Sequence, residues 1–195
     1  MVLAVAVVVP VAAGACSTPP PQASNAVPPP ATAAPEAPIV WAALGGDETV
    51  TTGPAEEAAT AWPQRVLSRL PATAQLVNVA TPDASIRTGL TSQVPALEAN
   101  GVRPTVATVW FGRDERGSTS QQRADLTALV ERLRALGTTR IVLVAGPGPS
   151  ATALAQDVAA ATGAVALPVA GIGRDAMGPV AQAGIAEAVA PVLAP

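Results

Sequence analysis

Carboxylates and one threonine hydroxyl are the side chains of this sequence best placed to do chemistry, and histidine is absent. The acids stand in four segments that contain glycine or proline: Asp47, Glu48, Asp83, Asp114, Glu115 and Asp175. Thr49 adjoins the first of these segments. A serine or threonine hydroxyl is a poor nucleophile until a base removes its proton, and near neutral pH that base is usually histidine. The sequence therefore argues against conventional serine-type hydrolysis.

Five short apolar segments predict the strands that would position these acids. The segments are β-branched and lack polar alternation, which is typical of parallel strands covered by helices on both faces. They cover residues 39–44, 75–80, 105–111, 140–145 and 164–167. The acidic segments that contain Asp47, Asp83 and Asp114 each directly follow one of these predicted strands.

Amphipathic segments between the predicted strands indicate helices. The clearest follows Ser120, has Gly137 as a C-terminal cap, and carries the stripe Leu126, Leu129, Val130, Leu133 and Leu136. Another begins near Thr60, with Pro63 tolerated in its first turn, and the last covers residues 181–193. Five strands alternating with helices predict a three-layer α/β/α sandwich around a five-stranded parallel sheet, as in flavodoxin-like folds.

The loops at the carboxyl ends of such strands carry the function. They read GGDET at 45–49, TPDA at 81–84, GRDE at 112–115 and, near the C-terminus, RDAMGP at 174–179. In this order, and with a Trp-Pro helix after the first loop, they resemble the four blocks of the SGNH/GDSL hydrolase family. The resemblance covers residues 39–193 and implies an SGNH-hydrolase-like domain.

The first two blocks depart from the family pattern. The family's first block is Gly-Asp-Ser, whose serine is the nucleophile. In this chain the serine position falls on Glu48, or on Thr49 if the doubled glycine shifts the register. The second block of the family supplies a glycine whose N–H helps to bind the oxyanion, and Asp83 matches that glycine.

The third and fourth blocks depart as well. The family's third block carries an asparagine that donates to the oxyanion, and Asp114 matches it. An ionised carboxylate has no proton to donate and would repel the negative charge of a tetrahedral intermediate. The fourth block is Asp-x-x-His-Pro in the family, so Asp175 keeps the carboxylate whereas Gly178 stands in place of the histidine base. The resemblance therefore implies a degenerate site with no catalytic residues of the family's kind.

Clustered acids raise the possibility of a cation site. The four blocks meet at one site in the family, so the resemblance places the loop acids around a common pocket. Clustered carboxylates repel each other and persist most easily with a cation such as Ca²⁺ or Mg²⁺. The predicted ligands are Glu48, Asp83, Asp114 and Asp175. The alternative is that these are solvated loop acids, neutralised in part by nearby arginines.

The N-terminal segment predicts export. Residues 2–15 are apolar and uncharged but too short to span a bilayer comfortably, and small residues lead to Cys16 as in a bacterial lipobox. We therefore expect residues 1–16 to be a signal peptide whose cysteine is lipidated. The Pro/Ala-rich residues 17–38 predict a disordered linker to a folded domain at 39–195. The expected location is the outer face of the cell membrane, with secretion as the alternative.

Composition narrows the possible functions. A net charge of −3 disfavours a nucleic-acid partner, and 2 % aromatic residues disfavour a stacking platform. The preferred interpretation is a non-catalytic module of the cell envelope that binds an envelope component or a protein. One alternative is an esterase or acyl hydrolase acting on envelope glycans or lipids, with a carboxylate base at Asp175 or Glu48. The other is a cation-binding envelope protein. No organic cofactor is expected.

Overall fold

The computed structural model describes residues 38–50, 59–111, 117–146, 148–169 and 178–194. All of these described residues belong to one compact unit. Its strands are β1 (Val40–Gly45), β2 (Gln75–Asn78), β3 (Val106–Trp110), β4 (Arg140–Ala145) and β5 (Val165–Pro168). Its helices are α1 (Trp62–Leu67), α2 (Ile86–Thr88), α3 (Val94–Ala99), α4 (Thr119–Ala135), α5 (Pro149–Thr162) and α6 (Pro179–Leu193). A π-helical turn, Gly89–Gln93, joins α2 to α3.

All five strands are parallel and lie in the order β2-β1-β3-β4-β5. This confirms the predicted flavodoxin-like sheet. After β1 the chain places β2 on one side of it and then returns to place β3 on its other side. The strand order therefore reverses between β1 and β3. Ligands of open α/β sheets bind at such a point, outside the carboxyl ends of the strands. The first acidic loop follows β1 and therefore lies there.

Helices cover both faces of the sheet. Alternate residues of β1 face opposite sides, so Trp41 belongs to one core and Leu44 to the other. The first core lies against α1 and α6 and contains three tryptophans. The ring centroid of Trp62 lies 5.7 Å from that of Trp41 and 6.2 Å from that of Trp110. The second core lies against α2 to α5. The three-layer sandwich is thus formed by two separate hydrophobic cores.

Helix α4 shows how closely the sequence specifies one element. Ser118 caps its N-terminus by accepting a hydrogen bond from the Gln121 N–H at 3.3 Å, so the helix begins just before Ser120. Gly137 follows its C-terminus with φ +95°. All members of the predicted stripe are buried: Leu126, Leu129, Val130, Leu133 and Leu136. None of the helices in the described ranges has the length and apolar character needed to cross a bilayer.

Candidate functional site

The carboxyl end of β1 is packed tightly against β3. The Gly46 N–H donates to the Trp110 carbonyl at 3.2 Å, and the Thr49 N–H donates to the Gly46 carbonyl at 2.9 Å. A Cβ atom on Gly45 would lie 2.4 Å from the Trp110 carbonyl oxygen and 2.5 Å from Thr49 Oγ1. No side chain fits there. The first glycine of the doubled pair is therefore required by the packing of the turn.

The side chain of Gln93 holds the same turn. Its Oε1 accepts from the Gly45 N–H at 3.0 Å, and its Nε2 donates to the Gly45 carbonyl at 2.8 Å and to Thr81 Oγ1 at 3.3 Å. Gln93 is buried and is the last residue of the π-helical turn, a feature that is frequent at functional sites. The sequence analysis missed Gln93, because a single glutamine in a short helical segment gives no signal of its own.

An ion pair supports this helical segment from α4. The Arg132 guanidinium donates to the Glu98 carboxylate on α3, at 2.8 Å from Nε, and to the Leu90 carbonyl of the π-helical turn at 3.2 Å. The hydrogen bond from Arg132 holds the pKa of Glu98 below its ordinary value, and Glu98 in turn raises the pKa of Arg132. Both side chains are partly exposed, so the pair orients the segment more than it stabilises the fold.

Asp47 connects the first and second blocks. Its Oδ1 accepts a hydrogen bond from the Asp83 N–H at 3.1 Å. Asp83 has φ +55°, in the left-handed region that glycine enters most readily. This backbone conformation fits the glycine position that the family resemblance gives to Asp83. The Asp83 amide, to which the resemblance assigns the oxyanion position, thus donates to a carboxylate of the protein itself.

Glu48 and Thr49, the two candidates for the nucleophile position, are both buried. Gln182 on α6 donates from Nε2 to the Glu48 carbonyl at 3.4 Å and accepts from the Trp62 N–H at 2.7 Å, so α6 and α1 both reach this turn. Thr49 is 0 % exposed, and its Oγ1 has no hydrogen-bond partner among the residues that the structure describes. A hydroxyl in that position is not accessible to a substrate. The interpretation of the loop acids as solvated is wrong for Glu48, because the turn is packed against α6.

The remaining predicted site residues divide into two groups. Gly178 is the N-cap residue of α6 and is half-buried. Asp114, Asp175 and Cys16 lie outside the described residues. Among the residues that are described, no group of three or more histidine, cysteine, aspartate or glutamate side chains could hold a metal ion. The Ca²⁺ or Mg²⁺ site at Glu48, Asp83, Asp114 and Asp175 therefore stays a prediction.

No protein-family model and no curated protein matches this sequence. Solved structures match its fold at low identity. TesA is 18 % identical over 79 % of this chain and 97 % of its own, with a TM-score of 0.65. The psychrotrophic esterase EstA from Pseudoalteromonas sp., inhibited by monoethylphosphonate, is 16 % identical over 79 % of this chain and 98 % of its own, with a TM-score of 0.63.

A third solved structure, a Desulfitobacterium hafniense DCB-2 protein assigned to the G-D-S-L lipolytic family, has 12 % identity and a TM-score of 0.63. It is matched over 79 % of this chain and 99 % of its own. The expected architecture agrees with these matches. The chain therefore has the fold of the SGNH/GDSL hydrolases.

Proposed function

We propose that the domain is a non-catalytic binding module that keeps the SGNH/GDSL hydrolase fold. The hydrogen bond from the Asp83 N–H to Asp47 Oδ1, 3.1 Å long, is the observation that carries this proposal. Acyl transfer requires hydrogen-bond donors aimed at the oxygen on which negative charge develops. Here the donor is already paired with a carboxylate, so a developing oxyanion would meet a like charge instead.

The loss of a free oxyanion donor has a large effect on the rate of acyl transfer. Removing one oxyanion donor typically costs about 3–4 kcal/mol of transition-state stabilisation, or roughly a hundredfold to a thousandfold in rate. Two further features act on other steps of the reaction. The absence of histidine removes the usual base, and the burial of Thr49 removes the hydroxyl from reach. Proton transfer, attack and charge stabilisation are thus all impaired.

An esterase or acyl hydrolase with an unusual site is the second candidate. It is favoured by the fold match to EstA, which is named as an esterase. Its base would be a carboxylate, either Glu48 or Asp175, and its substrates would be envelope glycans or lipids. Glu48 is buried in the first-block turn.

Ester turnover separates these two candidates. The full chain carrying Cys16→Ala is incubated with p-nitrophenyl acetate and p-nitrophenyl butyrate, with a heat-denatured sample as the control. We expect no release of p-nitrophenol above that control. Turnover that falls in the Glu48→Gln or the Asp175→Asn variant would establish the esterase and overturn the non-catalytic proposal.

We also propose that Cys16 anchors the protein through a lipid on the outer face of the cell membrane. Support comes from the order of an apolar segment at 2–15, the cysteine, and a Pro/Ala-rich segment at 17–38. In cells expressing the chain, Cys16→Ala should move the protein out of the membrane fraction, whereas Ser17→Ala should not. Equal membrane association of both variants contradicts lipidation.

Cation binding is proposed as a third possibility for the acidic loops. Asp83 is exposed and its backbone N–H donates to the Asp47 carboxylate, so two acidic residues belong to the same loop edge. A cation at a hundred times its dissociation constant would stabilise the folded state by about 2.7 kcal/mol. Melting with millimolar Ca²⁺ or Mg²⁺ is compared with melting in chelator at equal ionic strength. An identical melting temperature in all three conditions rules the site out.

A further inference from the structure

The segments that precede the strands form one continuous edge of the sheet, opposite the candidate site. The Gln75 N–H donates to the Ile39 carbonyl at 2.8 Å. The Thr105 N–H donates to the Val40 carbonyl at 2.8 Å, and the Thr105 carbonyl accepts from the Thr139 N–H at 3.0 Å. The starts of β2, β1, β3 and β4 are thus joined in that order. We call this side of the domain the amino edge.

Arginines are the only charged residues among the described residues of the amino edge. The edge comprises residues 38–39, 69–74, 100–105, 134–140, 162–164 and 192–194. Its arginines are Arg69, Arg103, Arg134 and Arg140. The helices that cover the sheet end at this edge, and cations near the C-terminal ends of helices are favoured by the helix dipole. The edge therefore collects positive charge.

The charges of these arginines are not cancelled within the edge. Arg103 and Arg134 are exposed, and neither forms an ion pair with a described acid. Arg69 lies 4.0 Å from Glu187 with both side chains exposed, an arrangement that contributes little. Arg140 donates to two carbonyls at the end of α6, and those acceptors are neutral. All four guanidinium groups thus add to the charge of this surface.

Acids on the neighbouring helices offset only part of this charge. The hydrogen bond from Arg132 lowers the pKa of Glu98 on α3, and the charge of Arg103 lowers it further. One carboxylate is therefore shared by two arginines, which leaves a net positive charge. Glu131 is exposed on α4, three residues before Arg134. With these helix residues included, the amino edge and its surroundings remain positive.

The acids of the candidate site lie at the other end of the strands. Asp47 follows β1 and Asp83 follows β2, both at the carboxyl edge. The six residues of β1 separate the two edges by about 20 Å. This separation is about twice the Debye length of ~10 Å at 0.1 M salt. A charged surface in contact with the amino edge therefore interacts with the arginines and is screened from these acids.

The chain also enters the domain at the amino edge. Pro38 is the first residue that the structure describes, is exposed, and lies just before β1. Cys16, the proposed site of lipidation, lies 22 residues earlier. A chain of that length reaches at most about 75 Å. A lipid at Cys16 would thus hold the amino edge near the membrane, and such confinement makes weak surface contacts effective.

We infer that the amino edge docks on an anionic membrane surface, with its four arginines against the lipid phosphates. The inference goes beyond the proposed function, because it assigns a second surface and an orientation to the domain. The loops at the carboxyl edge then point away from the membrane. Each arginine close to an anionic surface strengthens binding about fivefold.

Partition between two kinds of vesicle tests the inference. The full chain carrying Cys16→Ala, which has no thiol or lipid to hold it, is sedimented with vesicles of phosphatidylcholine alone or mixed equally with phosphatidylglycerol. Residues 2–15 are apolar and common to both measurements, so the ratio of partition coefficients isolates the effect of charge. We expect a ratio on the order of a hundred at about 0.02 M salt, falling nearly to one at about 0.5 M. A ratio near one at both salt concentrations overturns the inference.

Matched double variants locate the charge that is responsible. Arg103→Gln with Arg134→Gln should lower the ratio about 25-fold, whereas lysine at both positions should preserve it. The control is Arg87→Gln with Arg123→Gln. These two arginines are also exposed, but they are paired with aspartates and lie toward the carboxyl edge, at α2 and near the start of α4. The control should change the ratio less than twofold. Equal losses in the two glutamine variants would show an effect of net charge alone and contradict the assignment.

Energy transfer to the membrane measures the orientation. In the Cys16→Ala chain, Thr73→Cys or Pro82→Cys supplies a single thiol for a fluorophore, before or after β2, and both positions are exposed. On vesicles that contain phosphatidylglycerol, transfer to a headgroup-labelled lipid should be stronger from the Thr73→Cys chain. Equal transfer from both chains overturns the docked orientation. Because no arm uses a lipid on Cys16, failure of the proposed anchoring in cells would leave these results unchanged.

Discussion

Two regions at the carboxyl edge of the sheet have opposite character. At the end of β1, polar groups are paired with one another: the Gly45 peptide with Gln93, and the Asp83 amide with Asp47. At the ends of β3 and β4, an open cavity of about 330 Å³ is lined by buried apolar residues of the strands and by exposed polar residues at the starts of α4 and α5. At the position that the family resemblance assigns to catalysis, the polar groups at the end of β1 hydrogen-bond to one another.

The largest effect is expected from a methyl group added at Gly45. Gly45→Ala would force Cβ against the Trp110 carbonyl and Thr49, so the free energy of unfolding should fall by about 3 kcal/mol. Gly184 in α6 is the control, because nothing lies within 4 Å of a Cβ built there. Gly184→Ala should raise stability by about 0.5–1 kcal/mol. Urea denaturation measures both, and a similar shift in both variants would contradict the packing of the turn.

Loss of the Gln93 side-chain amide should have the next largest effect. Gln93→Leu leaves the buried Gly45 N–H without its acceptor, which should cost about 2 kcal/mol. The control is Gln156→Leu, at an exposed position on α5, with an expected change within about 0.5 kcal/mol. Hydrogen exchange of the Gly45 amide should accelerate in the first variant. Unchanged exchange there would mean that Gln93 does not hold the turn.

The Asp47 carboxylate should contribute less than Gln93 to the free energy of unfolding, because Asp47 is half-buried. Asp47→Ala removes the acceptor of the Asp83 amide and should cost about 1 kcal/mol. Asp47→Asn keeps an oxygen in the same place and should cost less than half as much. The amide proton of Asp83, followed by NMR, should shift to lower frequency in the alanine variant and stay close to its original position in the asparagine variant. Equal shifts would show that this hydrogen bond is absent in solution.

The smallest effect is expected on the way in which the free energy of unfolding depends on pH through the Glu98–Arg132 ion pair. Since Arg132 lowers the pKa of folded Glu98 below its unfolded value, the stabilisation is present at neutral pH and is lost as the pH falls through the folded value. Glu98→Gln should therefore be slightly less stable at neutral pH and equal to the parent in acid. Glu131→Gln, exposed on the same side of the sheet, is the control. A stability difference for Glu98→Gln that persists unchanged in acid would contradict the ion pair as its cause.

The sequence predicts the elements well because they depend on local patterns. The β-branched segment at 140–145 is β4 without change of bounds, and the other strands shift by no more than two residues at either end. The sequence predicts no bounds for helix α5 or for the helical segment from Ile86 to Ala99. The π-helical turn of that segment depends on contacts with β1 and α4, which no local pattern records.

The site is less predictable because its contacts join distant segments. Asp47 and Asp83 are 36 residues apart, and Gln93 and Gly45 are 48 apart. The family resemblance brought the first two blocks together but could not indicate that one carboxylate would accept from the oxyanion amide. Burial of Glu48 was also missed, since a charged residue in a loop is usually solvated. Its burial follows from the docking of α6.

We propose that the first-block site lacks a working nucleophile, a working base and a free oxyanion donor. A fluorophosphonate tests all three at once, because an activated hydroxyl must attack phosphorus, release fluoride and place the phosphoryl oxygen against free donors. Intact mass spectrometry of the full chain with Cys16→Ala, after incubation with excess reagent, is the most direct measurement. We expect an unchanged mass. The addition of one phosphonyl group, mapped to Thr49, would contradict the account.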